Sequence, residues 1–250
     1  ADEDGNKIID FKKNNLHLVS YSEPIDRNVS YEELIKHLHY LKDNPNWIPY
    51  RTSYYNKDWG FCLSYNQFKK LKKTSYHVKI DTSLSDGYLR YGELYIKGKS
   101  EKEILFSTYI CHPSMCNDNL SGVSVLTKLA KSINEMDLNY SYRFLFIPET
   151  IGSISWLAKN ENKLEKIIGG IVVTCCGDRG KLNYKKSRIG NGLVDYFMSF
   201  TDINCKEFAP MGSDERQFCS QGINLPIGCL TRTAYGEYDE YHTSADDLNF

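Results

Sequence analysis

Three stretches of this 250-residue chain place side chains able to bind a metal or move a proton directly behind an apolar run. Cys111-His112-Pro113-Ser114-Met115-Cys116-Asn117-Asp118 follows the run at 104–109. Pro148-Glu149-Thr150-Ile151-Gly152-Ser153 follows 142–147, and Cys175-Cys176-Gly177-Asp178 follows 170–174. Nearer the end stand Gly212-Ser213-Asp214-Glu215-Arg216 and Glu240-Tyr241-His242-Thr243. Imidazole, carboxylate and thiolate are the side chains that bind zinc, and carboxylate and imidazole are those that carry general acid–base chemistry. A serine hydrolase is disfavoured because no Gly-x-Ser-x-Gly elbow is present. A cysteine hydrolase is disfavoured because Cys111 and His112, adjacent on an extended segment, are expected to point to opposite sides. His17, His37, His39 and His77 lie outside these stretches and read as surface or core residues. His37 and His39 are two apart on an expected helix, a poor spacing for a shared metal.

The elements that must position these groups follow from periodicity. The runs at 104–109, 142–147 and 170–174 read as buried strands, 121–133 as an amphipathic helix with Val125, Leu126, Leu129 and Ile133 on one face, and 151–160 as a helix. Strands alternating with helices imply a largely parallel sheet covered on both faces. In such sheets ligands gather beyond the carboxyl ends of the strands, which is where the chemistry-bearing stretches fall. The earlier part of the chain has a different texture. Ser30-Tyr31-Glu32-Glu33 is a capping-box signature and predicts a helix carrying Leu34, Ile35, Leu38 and Leu41 that ends near Asp43-Asn44-Pro45. Extended bursts are expected at 7–11 and 16–20, and a short helix at 67–72. Alternating runs at 76–80 and 88–96, joined by a turn at Ser85-Asp86-Gly87, predict a small sheet.

Composition narrows the function classes. Hydrophobic residues make up 41 % and charged residues 25 %, ordinary globular proportions with ample length for a core. The 31 basic and 32 acidic residues leave a net charge of −1, without the basic excess that a nucleic-acid groove or an anionic membrane surface calls for. The eight cysteines include no Cys-x-x-Cys pair. With no secretory leader at the start, they are expected to be thiols of a reducing cytoplasm.

Taken in order, His112, Asp118-Asn119-Leu120-Ser121-Gly122, Glu149 followed by Ile151-Gly152-Ser153, Gly212-Ser213-Asp214 and Tyr241-His242-Thr243 resemble the motifs of the co-catalytic zinc aminopeptidase family, which also contains the glutaminyl cyclases. The nearest resemblance is to the aminopeptidase-like proteins with an inserted small domain that are often encoded beside polysaccharide-biosynthesis genes. The stretch from Ile48-Pro49-Tyr50-Arg51 to Trp59-Gly60-Phe61-Cys62 is similar to that inserted domain, and Tyr109-Ile110-Cys111-His112-Pro113-Ser114 to its metal loop. The resemblance implies a three-layer zinc-exopeptidase fold with a mostly parallel central sheet (1–28 with 99–250, shortened at both ends) and a small inserted α+β domain (29–98).

It also implies a site. His112, Asp118 and His242 would bind zinc and leave a position open, the catalytic rather than the structural arrangement. Glu149 would take a proton from water and return it to the leaving amine. Three departures from the family pattern favour one zinc ion over two. Thr150 stands where the family has a second carboxylate, Cys175 near its later Asp (as a further candidate ligand), and Glu215 at its later His. Asp214 or Glu215 would meet a substrate amino group, Arg188 and Arg232 a carboxylate or phosphate, and one of Tyr235, Tyr238 and Tyr241 a developing oxyanion. The expected activity is hydrolysis of an amide in a small peptide or an amide-bearing sugar, with homo-oligomerisation left open. The alternatives are a catalytically weak metal-binding scaffold of the same fold and an acyl-transfer reaction of the glutaminyl-cyclase kind.

Overall fold

Apolar alternation with period two marks Tyr76–Ile80, whose residues are buried and exposed by turns. The computed structural model describes residues 1–249 and groups them into two compact units. The first comprises residues 1–87, 113–115 and 242–249. Its elements are β1 (Ile25–Val29), α1 (Tyr31–Leu34), β2 (Leu38–His39), β3 (Phe61–Cys62), α2 (Tyr65–Phe68) and β4 (Tyr76–Ile80). β4 pairs antiparallel with β1, Ile80 facing Ile25 and Tyr76 facing Val29. Val29, Leu34, Leu38, Leu63, Tyr76 and Val78 pack as the core of this unit.

Ser30 caps α1 as its signature predicts, accepting from the Glu33 N–H at 3.2 Å. The helix is shorter than its apolar spacing suggests. It stops at Leu34, tightens into a 3₁₀ turn and gives way to β2, which runs parallel to β3. Burial of Leu38 beside Phe61 outweighs the helical spacing of Leu38 and Leu41, a tertiary contact overriding local preference. The bursts at 7–11 and 16–20 form no strand; Leu18 and Ser20 make only isolated bridges, to Phe61 and Thr52.

The second unit, residues 88–112 and 116–241, contains β5 (Gly92–Ile96), β6 (Glu103–Tyr109), α3 (Gly122–Ile133), β7 (Ser141–Ile147), α4 (Ile151–Lys159), β8 (Ile167–Val173), β9 (Asn183–Lys185), α5 (Leu193–Met198), β10 (Asn204–Lys206), α6 (Glu215–Phe218) and β11 (Ile227–Thr231). Its sheet has the order β10-β9-β11-β8-β6-β7-β5. β6 lies parallel to β7 and β8, β8 to β11, and β9 to β10. β5 is antiparallel to β7, and β9 to β11. The sheet is therefore mixed, with four of its six strand pairings parallel. β5 also corrects the expected small sheet. β4 finds its partner in β1, and β5 closes the edge of the large sheet, Ile96 opposite Tyr142. Residues 25–29 thus pair across the expected boundary at 29, and residues 92–96 of the expected 29–98 module lie in the large sheet.

Both faces of this sheet are covered. Leu105, Leu145, Ile147, Val172 and Ile227 pack with Trp156 and Leu157 of α4 and Phe218 of α6. Phe144, Ile171 and Val173 pack with Leu126, Ala130 and Ile133 of α3. The buried stripe of α3 is rotated from expectation: Val125 is 42 % exposed, and Ala130 takes its place. Among the described residues no helix is long and apolar enough to cross a membrane, and no disulfide is present.

Candidate active site

The parallel run of β6, β7 and β8 brings three carboxyl ends to one edge of the sheet, and the chain leaves each end carrying the expected chemistry. Behind β6, the Ile110 N–H still bonds to the Ile147 carbonyl at 3.0 Å, after which the ladder ends. Freed from strand geometry, Cys111 and His112 turn toward each other, with Cys111 Sγ 3.3 Å from His112 Nδ1. This overturns the expectation that they point apart, which holds only while the segment stays extended. Behind β7, the Glu149 N–H donates to Cys111 Sγ at 3.2 Å. Glu149 Oε1 accepts from the Ser213 hydroxyl at 2.7 Å, and Oε2 stands 4.0 Å from His112 Nε2. Ligand atoms of Cys111, His112 and Glu149 all lie within 4.8 Å of one another.

Asp118 sits in the kinked segment Cys116–Ser121 that leads into α3, and its peptide bond to Asn119 is cis. It is 1 % exposed, and its Oδ1 accepts from the Tyr109 hydroxyl, which in turn accepts from Thr174 Oγ1 at 2.7 Å. An oxygen of Asp118 lies within 4.8 Å of a His112 ring nitrogen. Asn119 binds β6 to the end of β8: its amide donates to Thr108 Oγ1 at 2.8 Å and to the Tyr109 carbonyl at 3.0 Å, and its oxygen accepts from the Cys175 N–H at 3.2 Å. Ser121 adds a second tie, accepting from the Cys176 N–H at 2.9 Å. Gly122 is required at the next position. A Cβ there would stand 2.5 Å from the Val173 carbonyl oxygen and 2.6 Å from Asn119 Oδ1.

The other expected residues divide sharply. Asp214 is buried, and its Oδ1 accepts from both the Thr150 N–H and the Ser153 hydroxyl at 2.7 Å, so it anchors the start of α4 just behind Glu149. Glu215, also buried, is held by Lys185 Nζ at 2.5 Å. In these positions both carboxylates hold the framework of the site. Arg232 spends its guanidinium on the carbonyls of Cys176 and Gly180, at 3.1 and 2.6 Å, and the exposed Arg188 lies over the Phe208 ring at 5.2 Å. The Arg232 guanidinium is thus committed to the backbone rather than to a two-pronged clamp. Tyr241 packs edge-on against Tyr238. His242 belongs to the first unit, where its carbonyl accepts from the Tyr50 N–H at 2.7 Å and the Tyr50 ring meets it edge-on.

Burial dominates the electrostatics. It raises the Glu149 carboxyl above its usual range; the Ser213 bond and the neighbouring His112 pull back, and Asp118 pushes the same way as burial. Burial lifts Asp214 to about 7, opposed by its bonds from Ser153 and Thr150. It lifts the thiols of Cys111 and Cys175 to about 11 and about 12, so both keep their protons near neutrality. Tyr241 is raised by burial and then by the Asp118 and Glu149 carboxylates.

Sequence reasoning did not single out Tyr109 or Ser213. Tyr109 reads as the last apolar residue of a strand, but the polar Asp118 expected nine positions on is a signal that a buried hydroxyl would find an acceptor there. Ser213 was visible as part of the Gly-Ser-Asp motif without a role of its own.

The chain is 53 % identical over 250 residues to a Clostridium acetobutylicum protein whose name proposes polysaccharide biosynthesis and an aminopeptidase-like domain; the match covers 98 % of this chain and 57 % of that protein. The crystal structure of a proposed peptidase from the same organism superposes with a TM-score of 0.96 at 51 % identity, over all of this chain and 60 % of the other. A zinc aminopeptidase of Bacillus subtilis superposes with a TM-score of 0.60 at 14 % identity, over 85 % of this chain and 58 % of its own. The last likeness shows the fold, which is aminopeptidase-like, as the ordered motifs imply. The chain spans somewhat under two thirds of the length of the first two relatives. A family model described as "Domain of unknown function (DUF4910)" matches residues 3–250, and the chain belongs to that family.

Proposed function

We propose that the chain is a zinc-dependent amide hydrolase in which Glu149 is the general base and His112, Asp118 and His242 hold one metal ion. The observation that carries this reading is the setting of Glu149. Its carboxylate stands at the carboxyl edge of the sheet, fixed on one oxygen by Ser213, 4.0 Å from His112 on the other, and raised toward neutrality by burial. The donor set suits zinc: a half-buried imidazole beside a buried carboxylate, with a cation the natural counterpart for a carboxylate withdrawn from water. When bound there, zinc would supply a Lewis acid that polarises the scissile carbonyl and acidifies water. Glu149 takes the water proton and delivers it to the departing nitrogen. Asp214 holds the Glu149–Thr150 backbone still during both transfers. Tyr241, kept protonated, offers a hydroxyl to the oxygen on which charge develops.

One ion rather than two is favoured by Thr150 and Cys175. The Thr150 hydroxyl accepts from Arg216 at 3.3 Å and carries no charge to give a second cation, and the buried Cys175 sulfur lies among the hydroxyls of Tyr109, Thr174 and Tyr238. The substrate class is an amide of a small peptide or of an amide-bearing sugar, the latter suggested by the name of the Clostridium relative. The test is elemental analysis together with turnover of aminoacyl amides and N-acyl amino sugars. One equivalent of zinc and a loss of about 10²-fold or more in Glu149→Gln are expected. Two tightly held equivalents would overturn the single-ion reading, and turnover indifferent to Glu149→Gln would remove the base. A zinc-loaded protein inert on every amide would instead be a metal-binding scaffold.

A further inference from the structure

Cys111 is part of no ligand set proposed above, yet it touches both halves of the machinery. Its sulfur lies 3.3 Å from His112 Nδ1 and receives the Glu149 backbone N–H at 3.2 Å. The two residues it joins come from the ends of different strands, β6 and β7. The far nitrogen of the ring, Nε2, faces Glu149 Oε2 at 4.0 Å, too far for a hydrogen bond between them. An imidazole binds a metal through one nitrogen, and the proton on the other is set by the partner it meets.

We infer that Cys111 is a positioning residue: its sulfur accepts the His112 Nδ1–H as well as the Glu149 N–H, which leaves Nε2 without a proton and fixes the spacing between ring and base. The inference deepens the zinc-hydrolase reading, on which its consequence for metal binding rests. The tautomer itself does not depend on that reading. Carboxylates and carbonyls are the usual partners of a ligating histidine. A sulfur in that place is a weaker acceptor but a larger one, able to span two N–H groups that approach from different strands. Its cost is exposure to thiol chemistry, because Cys111 is only partly buried.

Two measurements on the metal-free and zinc-titrated chain test this. Long-range proton–nitrogen correlation spectra of ¹⁵N-labelled metal-free protein report which ring nitrogen of His112 carries the proton. Competition with a chromophoric chelator reports zinc affinity. The wild type is expected to show Nδ1–H. Cys111→Ala is expected to lose that preference and to bind zinc about 10–100-fold more weakly, the usual effect of removing such a partner. Cys111→Ser, which keeps an acceptor, is expected to retain the Nδ1–H form and to bind more tightly than Cys111→Ala. An Nε2–H ring in the wild type, or a Cys111→Ala protein unchanged in both tautomer and affinity, would overturn the inference. A wild type that shows Nδ1–H yet binds no zinc would overturn the metal reading while upholding the role of Cys111.

Discussion

The two oxygens of Glu149 have different tasks, and Ser213 enforces the difference. The hydroxyl donates to Oε1 at 2.7 Å and stabilises the ionised form, while burial favours the protonated form. Removing the donor in Ser213→Ala leaves burial less opposed, so the carboxyl rises further. A hydrogen bond to a charged group contributes about 1.5–3 kcal/mol, and one pKa unit corresponds to about 1.4 kcal/mol. The acid limb of kcat/KM against pH, measured on whichever amide the chain turns over, is therefore expected to move up by about one unit or more in Ser213→Ala. A limb that stays in place would mean that Ser213 does not bear on the ionisation of Glu149. At this scale the sequence was legible wherever residue type alone announces chemistry: His112 and Asp118 stand behind the end of β6 and Glu149 behind the end of the adjacent β7, as their positions after apolar runs implied. It was illegible where the role depends on direction. Cys111 could not be aimed without knowing that β6 ends at Tyr109. Asp214 and Glu215, equally suited by type to meet an amine, are turned inward to Thr150 and Lys185.

Between residues and molecule stands the junction of α3 with the ends of β6 and β8. Asn119 and Ser121 stitch it with hydrogen bonds, and Gly122 lets the helix approach the Val173 carbonyl closely enough for those bonds to form. Gly122→Ala must push this junction apart. Overpacking of this kind costs about 1–3 kcal/mol, which urea unfolding would register. Val125→Ala on the exposed side of the same helix is the control and should change stability by about 0.5 kcal/mol or less. Equal effects would mean that Gly122 is no closer to its neighbours than a surface position. β4 matches its alternating run residue for residue, because one face of a two-stranded ribbon is buried and the other wet. β6, β7 and β8 were legible as apolar runs because both their faces are covered. β9, β10 and β11 were not. The first two have three residues each, and β11 carries Gly228 as its second residue, where a Cβ would run into the Tyr184 ring. A glycine chosen for close approach erases the apolar pattern that would announce the strand.

For the molecule as a whole, a net charge of −1 means that overall repulsion is weak near neutrality, so particular buried groups set how stability depends on pH. Asp214 is the clearest of them. Its ordinary value is 3.8, and burial lifts it to about 7 in the fold. Below 3.8 both folded and unfolded chains hold the proton, and the group contributes nothing. Between there and about 7 the folded chain keeps a proton that the unfolded chain has released, so stability falls as pH rises through that window. Above about 7 the whole cost of ionising a buried carboxyl is present, at about 1.4 kcal/mol for each unit of separation. Glu149, raised by burial as well, slopes the same way. His39, lowered by burial, slopes the opposite way, so the informative quantity is the difference between two proteins. Asp214→Asn keeps an oxygen to accept from Thr150 and Ser153 but has no proton to lose. With a chelator present to remove metal, urea unfolding from pH 5 to pH 8 should show the variant gaining on the wild type as pH rises. A constant difference across that range would mean that Asp214 is ionised in the fold throughout, and that the start of α4 is anchored by a charge the interior already accommodates.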